Sequence, residues 1–136
     1  MEPRDPIACG LPHREPFVFI DQVITVEPGK SAVCTKQFAA SEPFFRGHFP
    51  GNPIVPGVIL TEAAAQTAGI AAGEPGKVFH LSAIRQMKFL RPVSPGSLVE
   101  FTATGAGGMG GLLQFAVSAR VGGELVAEGV VILNAV

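Results

Sequence analysis

From Leu98 to Thr104, Val99, Phe101 and Ala103 alternate with Glu100, Thr102 and Thr104. A period of two marks a strand with one buried and one solvated face. The same alternation runs through Leu113, Phe115, Val117, Ala119 and Val121, and a Gly-Gly-Glu turn then leads into a last strand over 125–133. Upstream, 17–26 is rich in Phe, Val and Ile and predicts a strand, with 31–39 as its hairpin partner. The EPGK between them, at 27–30, carries Pro and Gly where a type II turn needs them. EPGK recurs at 74–77 and predicts a second turn. The segment 78–90 predicts a long strand, Pro92–Gly96 a break, and the run GAGGMGG at 105–111 a flexible hairpin tip.

One stretch breaks this rhythm. Residues 58–72 are Ala-rich and free of Pro, with one interior Gly, and predict the chain's one good helix. Before it, 41–56 holds four prolines and two glycines, which excludes regular structure. The predicted class is therefore α+β: an antiparallel sheet of strands joined by short turns, with one helix across it. A helix apolar on all sides needs cover beyond one sheet face, and a second subunit would supply it.

Composition narrows the picture. With 136 residues, 47% hydrophobic and 15% charged, the chain suits a single domain spanning 1–136. Its mean hydropathy of +0.38 is high for so short a chain and favours an oligomer. A net charge of −1 without a basic block argues against nucleic acid. Cys9 and Cys34 make neither a disulfide framework nor a metal set, and read as reduced thiols. The apolar run 56–72 is shorter than the roughly 20 residues of a membrane span, and the N-terminus lacks a signal-type apolar run. A cytoplasmic protein without a membrane partner is the expectation.

Two residues stand out chemically. His48 lies in Gly47-His48-Phe49-Pro50-Gly51, where its neighbours restrict the backbone. A neutral imidazole suits a general base near neutral pH, and no His, Cys or Asp lies at metal-ligand spacing from it. Glu62 sits among Val58, Ile59, Leu60 and four alanines. There it either reaches solvent at a helix edge or borders a cavity as a desolvated acid able to donate a proton. Gln66, four residues on, shares its helix face. The helix start at Gly57 and Val58 offers free N–H groups to a carbonyl gathering negative charge.

The segment FFRGHFPGNPIVPGVILTEAAAQ (44–66) closely resembles the catalytic segment of the 3-hydroxyacyl-[acyl-carrier-protein] dehydratases of the FabZ type. LPHREPFVFIDQV (11–23) is similar to that family's opening motif, and KFLRPVSPG (88–96) to its later strand and turn. The resemblance implies a hotdog fold and a homodimer with two active sites at the subunit interface, commonly assembled further into a homohexamer, a trimer of dimers. It implies reversible loss of water from a 3-hydroxyacyl thioester, carried by acyl carrier protein, without a cofactor. His48 of one subunit would be the base and Glu62 of the other the acid. The Gly57 N–H would hold the thioester carbonyl, and Phe49, Ile59 and Phe79 would line the acyl tunnel. His13, in the opening motif, reads as a structural residue near the tunnel, and His80 as a strand residue at its mouth or on the surface. Arg14, Arg46, Arg85, Lys88 and Arg91 offer a modest basic rim to an acidic carrier, with ordinary solvated surface as the alternative.

The chain has no Tyr, whereas the family often gates its tunnel with one; here that region reads VFHL at 78–81. Two rival functions share the fold: an acyl-thioester hydrolase, and a non-catalytic acyl-binding subunit. Retention of both His48 and Glu62 favours the dehydratase.

Overall fold

The computed structural model describes residues 2–74 and 76–136. Six strands form one antiparallel sheet: β1 (Gln22–Glu27), β2 (Ser31–Gln37), β3 (Phe79–Phe89), β4 (Leu98–Met109), β5 (Leu112–Val121) and β6 (Glu124–Ala135). Their spatial order is β1-β2-β4-β5-β6-β3. One α-helix among the described residues, α1 (Gly57–Ala72), lies against the sheet, mainly on β4, β2 and β5. The expected α+β layout, a sheet wrapped around one helix, is the one observed. No helix among the described residues is long and apolar enough to cross a membrane.

The alternating residues of β4 and β5 face this helix. Val99, Phe101, Ala103, Phe115, Val117 and Ala119 are all buried, and their polar neighbours point away. Small side chains on α1, with Ala63, Ala64, Ala68 and Ala71 fully buried, let the helix approach the sheet closely. Between them sit Phe38, Phe101 and Val23, which fill the core. Burial pushes the Cys34 thiol up to about 12, so it behaves as a small core hydrophobe.

The first EPGK forms the expected turn: the Lys30 N–H bonds the Glu27 carbonyl at 2.8 Å, and Gly29 adopts φ 80°. It also stops α1, because the Gly29 N–H caps the Ala71 carbonyl at 2.8 Å. In the second EPGK, Pro75 lies outside the described residues, but Lys77 bonds Glu74 across the turn at 3.2 Å.

Two expectations need correction. The strand expected from Phe17 begins only at Gln22. Val18, Phe19 and Ile20 are all buried in succession, without alternation. Backbone groups of Phe17 and Phe19 bond the Gln66 side chain on α1 instead of a neighbouring strand. The glycine run is also mostly strand: β4 continues to Met109, and Gly110–Gly111 alone make the connection. Its glycines allow a bulge between Gly105 and Gly108 and a close approach to β5. A Cβ on Gly108 would strike the Leu112 carbonyl.

At one edge of the sheet, β3 pairs only with β6, and most of its residues are exposed on both faces. Leu81, Ile84 and Phe89 are among the exposed apolar side chains there.

Candidate active site

A short 3-10 helix, Pro43–Arg46, delivers the chain to His48. The His48 N–H bonds the Phe44 carbonyl at 3.1 Å, which closes the turn. Its ring Nδ1 lies 2.9 Å from the Ile54 carbonyl oxygen. A carbonyl can only accept, so Nδ1 carries a hydrogen, and in the neutral ring Nε2 keeps its lone pair. The loop thus fixes both the ring and its tautomer, with Nε2 as the basic atom. Phe49 packs edge-to-face on the imidazole, 4.7 Å between centroids. Its φ of 56° lies in the left-handed region, which a bulky residue adopts only under constraint, and the residue is 62% exposed.

On α1, Glu62 is half-buried at the wall of a cavity of about 600 Å³, a size that suits a small ligand. Its side chain is 20% exposed, so Glu62 borders the cavity and retains some access to solvent. Gln66 Nε2 donates to Glu62 Oε2 at 3.0 Å. The same Nε2 donates to the Phe17 carbonyl at 3.0 Å, while Gln66 Oε1 accepts the Phe19 N–H at 3.0 Å. All of the amide's principal capacity is therefore used, which explains a glutamine that is 1% exposed. His13 Nε2 reaches the same Oε2 at 3.5 Å.

Of the residues singled out in the sequence, Glu62, Gln66 and Phe79 share this cavity, with His13 and His80 beside them. His48, Phe49, Gly57, Val58 and Ile59 are not among its lining residues. Val58 is 75% exposed, and Ile59 packs against the core. Gly57 lies beneath the Phe89 ring, which a Cβ would meet at 3.0 Å. His48 and Glu62 thus occupy separate places on one chain. The expected basic rim is partly spent: Arg14 donates to the Leu11, Pro12 and His13 carbonyls, and Arg91 pairs with Glu124 at 3.4 Å.

Three features escaped the sequence reading. The Ile54 carbonyl that sets the His48 tautomer is backbone and carries no residue signature. Phe89 over Gly57 requires knowing that β3 passes the helix start. The His13 contact with Glu62 joins residues 49 apart in sequence, although the LPHR motif marked His13 as worth placing.

Comparison with known proteins adds the family. A model described as FabA-like domain matches residues 11–130. The chain is 46% identical over 123 residues to the 3-hydroxyacyl-[acyl-carrier-protein] dehydratase FabZ of Acetivibrio thermocellus, covering 88% of this chain and 84% of that protein. It is 45% identical over 123 residues to the FabZ of Ruminiclostridium cellulolyticum, covering 88% and 87%. Among solved structures, the dehydratase heterocomplex ApeI:P from Xenorhabdus doucetiae superposes with a TM-score of 0.80 at 18% identity, over 96% of this chain and 91% of that one. The uncharacterized protein PH1136 from Pyrococcus horikoshii gives 0.75 at 19% identity, over 100% and 95%. At such identities these two structures speak for the fold alone.

Proposed function

This chain belongs to the FabA-like family as a FabZ-type 3-hydroxyacyl-[acyl-carrier-protein] dehydratase, and we propose that it eliminates water with His48 of one subunit and the partner subunit's Glu62. The observation that carries this reading is the Glu62 carboxyl at the wall of a cavity from which His48 of the same chain is absent. A second copy supplies the missing base. Exposed Phe49 beside His48, exposed Val58 at the start of α1, and the exposed β3 edge offer apolar surface for the partner.

The chemistry follows from the two sites. Nε2 of His48 takes the C2 proton of the 3-hydroxyacyl thioester. The thioester oxygen gathers negative charge and is held by the free N–H groups of Gly57 and Val58 at the positive end of α1. The electron pair of the broken C2–H bond forms the C2–C3 double bond. The C3–O bond breaks, and Glu62 protonates the leaving hydroxyl to give water. The product is the trans-2-enoyl thioester, and each step reverses for hydration. Phe79 contributes apolar wall for the acyl chain, and the exposed Lys88 and Arg46 suit an acidic carrier. The residues 1–136 serve as one catalytic domain in the cytoplasm. It assembles as a homodimer that can group further into a trimer of dimers.

Purified protein given a 3-hydroxyacyl thioester should produce the conjugated enoyl absorbance without releasing free thiol. Thiol release would assign the hydrolase instead, and silence toward both carrier-protein and CoA thioesters would favour a binding role.

A further inference from the structure

We propose that His13 is a positioning residue for this elimination: neutral, with its proton on Nε2, it joins Gln66 in donating to Glu62 Oε2 and so keeps the transferable proton of that carboxyl on Oε1. The inference rests on the reading of Glu62 as the acid.

The assignment starts at a backbone group. The Phe19 N–H can only donate, so the Gln66 oxygen must face it. The Gln66 nitrogen is thereby turned toward the Phe17 carbonyl and Glu62 Oε2, and it has nothing to accept with. Oε2 therefore receives one hydrogen bond from Gln66. His13 Nε2 approaches the same oxygen at 3.5 Å. The other ring nitrogen, Nδ1, is buried and has no hydrogen-bond partner among the described residues. An imidazolium, or a neutral ring protonated on Nδ1, would bury an N–H without an acceptor, which is costly. The Nε2–H tautomer leaves only an unfilled lone pair at Nδ1 and puts the hydrogen on the nitrogen nearest the carboxyl.

The ring is held there from both sides. Its own segment is clamped by Arg14 Nη1, which donates to the carbonyls of Leu11, Pro12 and His13 at 3.0, 3.2 and 2.8 Å. The imidazole also stacks on Phe17 at 6.1 Å and 23°. With Gln66 bonded to Oε2 at 3.0 Å and His13 Nε2 placed 3.5 Å from it, Oε1 is the oxygen left to carry the proton to the substrate hydroxyl. As that proton leaves and the C3–O bond breaks, the two donors stabilise the carboxylate that forms. The other charged or titratable groups lining the cavity are Arg4 and Cys9 on the N-terminal segment, Glu74 and Lys77 after α1, and His80 on β3.

The test measures dehydration of a 3-hydroxybutyryl thioester of N-acetylcysteamine by the full-length protein across about pH 5 to 10. His13→Ala is expected to lower kcat about 10-fold. It should also move the alkaline limb of the kcat profile to higher pH, because the ionised carboxyl loses a donor. In heavy water, C2 deuterium exchange, which is the work of His48, should fall less than water loss. His13→Gln places an amide N–H near the former Nε2 and should recover most of the rate, whereas His13→Asn, reaching only to the Nδ1 position, should not. Equal rates for the Gln and Asn variants, or a loss of kcat with both limbs unmoved, would overturn the role of His13 and leave it a packing residue. The Gln–Asn comparison decides even where the Ala variant fails to fold. Near-wild-type turnover by Glu62→Gln in the same assay would instead remove the acid itself, and the inference with it.

Discussion

Glu62→Gln is expected to lower kcat by at least about 100-fold while the protein keeps its fold and its melting temperature. The amide has the size of the carboxyl. Its oxygen can still accept from Gln66 Nε2, which now lies 3.0 Å from Oε2, so the local packing has no reason to change. What disappears is a proton that can be handed to a leaving hydroxyl. His48→Ala should cost as much for the opposite reason, since it removes the only ring whose Nε2 is held free by a bond from Nδ1 to the Ile54 carbonyl. Dehydration rates set beside thermal melts check both variants. A melt unchanged and a rate near wild type in either one would remove that residue from the mechanism.

Gln66→Leu should have the largest effect on stability, about 2–6 kcal/mol, because it strands a buried Phe19 N–H and a part-buried Phe17 carbonyl at about 1–3 kcal/mol each. Leucine fills much the same volume, so the loss comes from the unpaired polar groups. The signature in urea is a lower midpoint at an unchanged slope, measured at fixed protein concentration. An unaltered midpoint would mean that the segment 17–20 finds other partners. The same side chain steers Glu62, so the surviving folded fraction should also be slow.

Gln66 illustrates what was legible in the sequence and what was not. Its place on the Glu62 face followed from a four-residue spacing on a helix. That its amide substitutes for a strand partner at Phe17 and Phe19 did not follow, because β propensity in 17–20 competes with a contact from the far side of the core. The glycine run misled for a related reason. Glycine reads as a turn signal in isolation, yet β5 supplies a ladder that the run can join. β4 and β5 were legible because their alternation is set by local geometry alone, and the helix because its stretch is Ala-rich and free of Pro. Glu62 was legible as an anomaly, since a carboxylate among alanines needs a cavity or an escape to solvent. The tautomer of His48 and the contact of His13 were not, since both depend on atoms brought together by the fold.

That His48 and Glu62 act across subunits is most directly tested by mixing the two inactive chains. A heterodimer of His48→Ala with Glu62→Gln, isolated through two different tags, contains one site with both native residues and one with neither. It should show about half the wild-type activity per dimer, while each parent homodimer stays inactive. A heterodimer as inactive as its parents would place both residues of each site on one chain and contradict the shared site.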